Sequence, residues 1–276
     1  MEATDQQSVE GPLALRVSCL EIWGGTRRRE ELVEVPGLDA WVYAEPSQQA
    51  AFGGDIHYVS SCAHGDIARF SLLDVAGHGS AVSDLAHRVR RLMRKHINKV
   101  DQTEFARVIN QEFSALAARG SFATAMFTTF FVPTRHLVMI NAGHPRPLLY
   151  RAASGTWQLL AEDLGSEDGV PLNLPLGIIS PTQYVQFAVN LELDDVVLLY
   201  TDGLLDAPDG SGGRLGEAGL LKLVQRVDDH RPAFLGRAIR EALRAFAGNH
   251  LLEDDLSIIV LRANGSGPPP RSMAER

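Results

Sequence analysis

Apolar residues recur along this chain with two periods, and the order in which those periods alternate is the first clue to the fold. Ala40 to Ala44, Ile56 to Cys62 and Ala68 to Leu73 are short apolar-rich runs separated by polar and glycine-bearing turns, and they predict three strands. The spacing then lengthens, which predicts a helix over Ala81 to Asn98. A second helix opens where Asp101 and Glu104 make an N-cap and capping-box pair. Phe105, Val108, Ile109, Phe113 and Leu116 share its apolar face, and Gly120 stands beyond it as a stop. Strand patterns return over Phe122 to Val132, His136 to Asn141, Pro147 to Arg151, Trp157 to Leu160, Tyr184 to Asn190 and Val196 to Tyr200. Helical patterns over Glu217 to Val227 and Arg231 to Phe246 precede a last strand, Leu256 to Leu261. Strands in blocks and helices in separate pairs predict an α+β architecture rather than an alternating parallel sheet.

The two ends of the chain read differently from its middle. Residues 1–37 form an N-terminal extension that opens on a polar, disorder-prone stretch. It carries one apolar segment, Leu13 to Trp23, and a charged run, Arg27 to Glu31, which fits either an edge strand or a partner contact. The patterned domain spans 38–263. From Asn264 onward, Gly-Ser-Gly and three prolines predict a disordered tail.

Composition narrows the function classes. With 45% hydrophobic and 22% charged residues over 276 positions, the chain is long enough to bury the core of one large domain. A net charge of −8 argues against a nucleic-acid partner, whose phosphates require clustered Lys and Arg. The densest basic stretch, Arg88 to Lys95, falls on the first helix and reads as a solvated face. Cys19 and Cys62 have no paired spacing, so neither a disulfide framework nor a thiolate zinc site is expected. No apolar run approaches the roughly 18 residues of a membrane span. A cytoplasmic location away from membranes is the default expectation.

Chemistry concentrates in four acidic motifs with flanking glycines or strands: Gly53-Gly54-Asp55, Asp74-Val75-Ala76-Gly77-His78-Gly79, Tyr200-Thr201-Asp202-Gly203 and Glu253-Asp254-Asp255-Leu256-Ser257. Each adjoins an apolar run that reads as a strand. Carboxylates at strand ends can converge, and an all-oxygen pocket suits hard ions such as Mg²⁺ or Mn²⁺ rather than zinc. Taken singly, each motif also reads as a turn or cap. His144, in Asn141-Ala142-Gly143-His144-Pro145, has no carboxylate near it in sequence and reads as structural. The serines show no nucleophile-elbow pattern.

In order along the chain, these motifs and Leu174-Pro175-Leu176-Gly177-Ile178 resemble the metal-dependent protein phosphatase family, phosphatase 2C-like, in the bacterial branch of the stage II sporulation protein E and stress-response phosphatases. The resemblance spans about Leu38 to Arg262. It implies two antiparallel sheets packed as a sandwich, flanked by helix pairs, with a two-metal centre of Mn or Mg at one end. Carried over by motif, Asp74 is the carboxylate that bridges both ions and Val75 supplies a main-chain ligand. Asp202 and Asp254 complete the first ion, Asp55 holds water on the second, and Asp255 is a neighbour.

The implied reaction is hydrolysis of phosphoserine or phosphothreonine by water, with His78 either protonating the leaving oxygen or organising its turn. The implied partner is a phosphorylated protein, an anti-sigma-factor antagonist in a partner-switching pathway, and a homodimer stays open. Two departures matter. Branch members often carry another aspartate soon after Gly-Gly-Asp, where this chain has Ile56, His57, Tyr58 and Val59, and the phosphate-binding arginine of eukaryotic relatives has no counterpart. The rival reading is therefore a weakly active or inactive phosphatase-like module that binds a phosphoprotein.

Overall fold

A computed structural model describes residues 15–16, 22–47, 50–62, 65–77, 80–118, 120–160, 171–209, 212–248 and 254–267. Among them, thirteen strands form two sheets. The first runs, from edge to edge, β1 (Leu15–Arg16), β3 (Arg29–Val35), β4 (Leu38–Glu45), β13 (Leu256–Ala263), β12 (Val196–Tyr200), β9 (Leu148–Arg151) and β10 (Thr156–Leu159). The second runs β11 (Phe187–Asn190), β8 (His136–Ala142), β7 (Ala123–Phe131), β6 (Ile67–Val75), β5 (Asp55–Cys62) and β2 (Ile22–Gly25). Neighbours are antiparallel except for the short parallel pair β1 and β3.

Period-two alternation sorts the strand residues into three apolar layers. Val42, Val59, Phe70, Leu72, Met126, Phe130, Leu199 and Ile259 fill the space between the sheets. The opposite face of the second sheet, with Ile56, Leu73, Phe127 and Ile140, is covered by α1 (Ser80–Lys95) and α2 (Gln102–Leu116). The outer face of the first sheet, with Trp41, Tyr43, Leu198 and Val260, is covered by α4 (Gly216–Val224) and α5 (Pro232–Ala247). Because β6 and β12 are covered on both faces, they read as continuous apolar runs rather than as alternating ones. A Leu→Ala change in the middle layer is expected to cost about 2–5 kcal/mol, as in packed cores generally.

Local signals start and stop the helices as expected. Asp101 caps α2, its carboxylate accepting from the backbone of Thr103 at 2.8 Å and Glu104 at 3.2 Å. Helix α1 stops at Lys95, short of Asn98, and buried Arg69 donates to the carbonyls of Ile97 and Lys99 just past its end. Arg88, Arg91, Arg94 and Lys95 lie exposed, as a solvated face requires. Among the described residues no helix is long and apolar enough to cross a membrane.

Of the two alternatives for the N-terminal extension, a strand forms: Arg29–Val35 pairs with β4 across seven positions, turning at Gly37 with φ +81°. The charged run hides this strand because Glu30 points outward, where Arg237 donates to it at 2.6 Å and Arg240 at 2.9 Å. At the other end, Asn264 and Ser266 are tied to the turn between β3 and β4 and to Asp39. The Asn264 backbone donates to the Gly37 carbonyl at 3.1 Å, its side chain to Asp39 at 2.8 Å, and Gly37 donates to the Ser266 hydroxyl at 2.8 Å. Most of residues 1–21, and 268–276, lie outside the described residues.

Candidate metal centre

Alternation and register decide where the acidic motifs end up. Phe70 and Leu72 face the middle layer, so Asp74, two residues on, projects from that same face, and Val59 places Asp55 there likewise. The register of β5 and β6 sets Asp55 directly opposite Asp74. In the other sheet, Val197 and Leu199 lead to Thr201, while Leu261 and Ile259 lead to Ser257 and Asp255. All five positions therefore meet at one open end of the sandwich. Asp202 follows as the first residue of the single-turn helix α3 (Asp202–Leu205), and Asp254 stands exposed just before β13.

Hydrogen bonds across the two sheets fix this end. The Thr201 hydroxyl donates to Oδ2 of buried Asp55 at 2.8 Å and accepts from the Ser257 backbone at 2.9 Å. Asp255 accepts from three backbone N–H groups, those of Ser47 at 2.6 Å, Gly54 at 2.5 Å and Asp55 at 3.2 Å. A neighbour in the sequence reading, Asp255 is the clamp on the Gly53-Gly54-Asp55 loop. The glycines admit this clamp. A Cβ on Gly53 would collide with the Asp255 carboxylate and one on Gly203 with the Asp255 carbonyl, while one on Gly54 would stand 2.8 Å from the Val75 carbonyl oxygen. The main chain thus passes close beside the carbonyl that the resemblance assigns as a ligand.

The electrostatics of the cluster are one-sided. Burial, then the charges of Asp202, Asp254 and Asp255, push the Asp74 carboxyl up to about 7. Burial, with Asp74 and Asp255 beside it, holds Asp55 well above the usual carboxylate range. Asp202 and Asp254 are raised first by partial desolvation where their carboxyls face the cluster, and also by acidic neighbours, Asp206 among them. The charged groups acting on these four are all aspartates, so the site repels itself until a cation enters. Among the described residues no three Asp, Glu, His or Cys side chains stand close enough together to hold one ion. The donor set, carboxylate and carbonyl oxygen throughout, is of the kind that suits hard divalent ions.

Other motif residues take different places. His78 and Gly79 lie outside the described residues. His144 is buried and structural: its Nδ1 meets the Thr124 hydroxyl at 2.8 Å, and its backbone N–H and C=O are both held by the Asn141 side chain. Gly143, at φ +68°, packs where a Cβ would strike the Pro175 ring, which couples the Gly-His-Pro turn to the Leu-Pro-Leu-Gly turn. Ile56 and Tyr58 face α1 and α2 rather than the carboxylates, so this strand offers no acidic substitute in those positions.

The family model for the stage II sporulation protein E matches residues 65–264, which includes the second, third and fourth acidic motifs. The chain belongs to the stage II sporulation protein E family. Solved structures agree on the fold. The RsbU and RsbW domains of a Mycobacterium tuberculosis protein align with TM-score 0.69 at 24% identity, over 86% of this chain and 62% of that one. The SiaA-PP2C domain of Pseudomonas aeruginosa aligns with TM-score 0.67 at 19% identity, over 82% and 85%. The catalytic domain of the serine/threonine protein phosphatase PstP, solved in complex with two manganese ions, aligns with TM-score 0.55 at 17% identity, over 82% and 98%. This chain therefore spans less than two thirds of the first of these and most of the other two.

Proposed function

We propose that this protein is a Mg²⁺- or Mn²⁺-dependent phosphatase that hydrolyses phosphoserine or phosphothreonine on a protein substrate. The observation that carries the reading is the meeting of Asp55, Asp74, Asp202 and Asp254 at one end of the sandwich, with only other aspartates acting on their charges. Family membership supports it, and so does the PstP neighbour with its two manganese ions. Asp74 is the proposed bridging ligand, Val75 a main-chain ligand, Asp202 and Asp254 ligands of the first ion, and Asp55 the holder of water on the second. Two divalent ions bound there would supply Lewis acidity for in-line attack of water on phosphorus and offset charge on the phosphoryl oxygens.

The chain's own residues do the positioning. Thr201 orients the Asp55 carboxylate and Asp255 holds the glycine loop, each through hydrogen bonds that need no ligand. Water adds to phosphorus, the bond to the serine or threonine oxygen breaks, and that oxygen takes up a proton. His78 is the candidate donor by family resemblance, with turn organisation as its other role. The proposed substrate is a phosphorylated anti-sigma-factor antagonist, a reading supported by the RsbU and RsbW neighbour.

Purified protein should hydrolyse p-nitrophenyl phosphate with Mn²⁺ and stop in EDTA. Asp74→Asn and Asp202→Asn should each abolish turnover while the protein stays folded. The lack of a further acid among Ile56, His57, Tyr58 and Val59 favours a second reading as a phosphoprotein-binding module. Retained phosphoprotein binding with no turnover across a Mn²⁺ titration would select it.

A further inference from the structure

A cavity of about 280 Å³ lies beside the carboxylate cluster, lined by Gly203, Asp206, Asp254 and, across from them, Arg214. Its outer wall is a short antiparallel pairing. Pro208 and Arg214 pair as an isolated antiparallel bridge, Leu215 donates to the Ala207 carbonyl at 3.1 Å, and Gly213 donates to Asp209 at 2.8 Å. Arg214 is the one basic residue among the described residues lining this cavity, and its guanidinium meets Asp206 at 2.7 Å. Both side chains are largely exposed, at 63% and 48%, so the pair contributes little and either partner exchanges readily. Arg146 differs: its guanidinium is engaged twice by Glu217 and its carbonyl accepts from the buried Tyr200 hydroxyl at 2.6 Å.

A phosphoprotein brings its dianion, and any acidic flanking residue, to a cleft walled by Asp206 and Asp254. We infer that Arg214 is the substrate-anion contact of this site, leaving Asp206 for an oxyanion of the bound phosphopeptide and so setting which phosphoproteins bind. A guanidinium suits that exchange, because its planar fork of donors matches carboxylate and phosphate oxygens two at a time. The exchange also lifts a positive charge off Asp206 only when an anion replaces it, which disfavours neutral segments. This inference rests on the phosphatase reading above for the nature of the ligand.

Two measurements on the full chain test it. The first is fluorescence anisotropy with Mg²⁺ and a labelled phosphoserine heptapeptide, in versions with Glu or with Ala beside the phosphoserine. Arg214→Ala should weaken binding of the Glu version about tenfold, the usual scale for a charge-assisted contact, and Arg214→Lys should recover part of it. Asp206→Asn should tighten binding. An equal loss for both peptides assigns the phosphoryl group as the anion, and a loss confined to the Glu version assigns the flanking carboxylate. Unchanged affinity of both peptides in Arg214→Ala overturns the inference.

The second is turnover with Mn²⁺, where the Arg214→Ala effect should appear in KM for the phosphopeptide. A fall in kcat with KM unchanged would mean that Arg214 acts in the transition state and not in substrate binding, and would overturn the proposal. Should wild-type protein bind the peptide through Arg214 but turn nothing over, the contact stands and the phosphatase reading falls.

Discussion

The Thr201 hydroxyl donates to Oδ2 of Asp55 at 2.8 Å, joining the end of a strand in one sheet to the first residue of a strand in the other. It is one link in a relay that begins at the Ser257 backbone and ends on a buried carboxylate surrounded by other carboxylates. Hydrogen bonds that orient a ligand commonly change metal affinity by about 10–100-fold when removed. Thr201→Val keeps the shape and deletes the donor, so Mn²⁺ affinity read from the activation curve should weaken by that order. Thr201→Ser should stay near wild type. Equal Mn²⁺ half-saturation in wild type and Thr201→Val would show that Asp55 holds its place without Thr201.

Gly203 is closed to any side chain, because a Cβ there would overlap the Asp255 carbonyl. Gly203→Ala should therefore push the Asp254-Asp255 segment away from Asp202 and abolish metal-dependent turnover. Asp255→Ala should act from the opposite side by freeing three backbone donors of the Ser47 and Gly53-Gly54-Asp55 segments, at a cost of about 1–3 kcal/mol in stability. Urea unfolding of the metal-free proteins measures the stability change, and p-nitrophenyl phosphate turnover with Mn²⁺ measures the activity. Wild-type midpoint and wild-type activity in Gly203→Ala would remove the steric argument.

Burial holds the His144 imidazole down at about 3, against an ordinary value of 6.5. A lowered histidine stays neutral in the native chain while the unfolded chain takes up a proton below pH 6.5. Native stability is thus lost as pH falls from 6.5 toward 3 and is unaffected above that window. At pH 5 this residue accounts for about 2 kcal/mol of loss. Comparison of urea midpoints at pH 7 and pH 5 should show a smaller drop in His144→Gln than in wild type. Parallel drops would place the acid sensitivity elsewhere.

Much of this fold was legible in the hydrophobic rhythm, because strands covered on both faces, such as Ile67–Val75 and Val196–Tyr200, stand out as unbroken apolar runs. The strand Arg29–Val35 was obscured by its charge, since the glutamate on its outer face is paired with arginines from a helix more than two hundred residues away. Among the site residues, the aspartates carried a signal because their motifs recur in order. Thr201 and Asp255 did not, since each acts through bonds to the other sheet or loop, and no local pattern reveals a partner 146 or 201 residues distant. A threonine or aspartate two residues beyond an apolar position facing the middle layer is the one local hint, and it needs the register to be useful.

The most direct measurement is an anomalous difference map from crystals of this protein grown with Mn²⁺. Two peaks about 3.5–4 Å apart are expected, both touching the Asp74 carboxylate, with Asp202 and Asp254 on the first and the Val75 carbonyl on the second. No peak at Asp74 in crystals of protein that hydrolyses p-nitrophenyl phosphate would contradict the assignment of this carboxylate cluster as the catalytic metal centre.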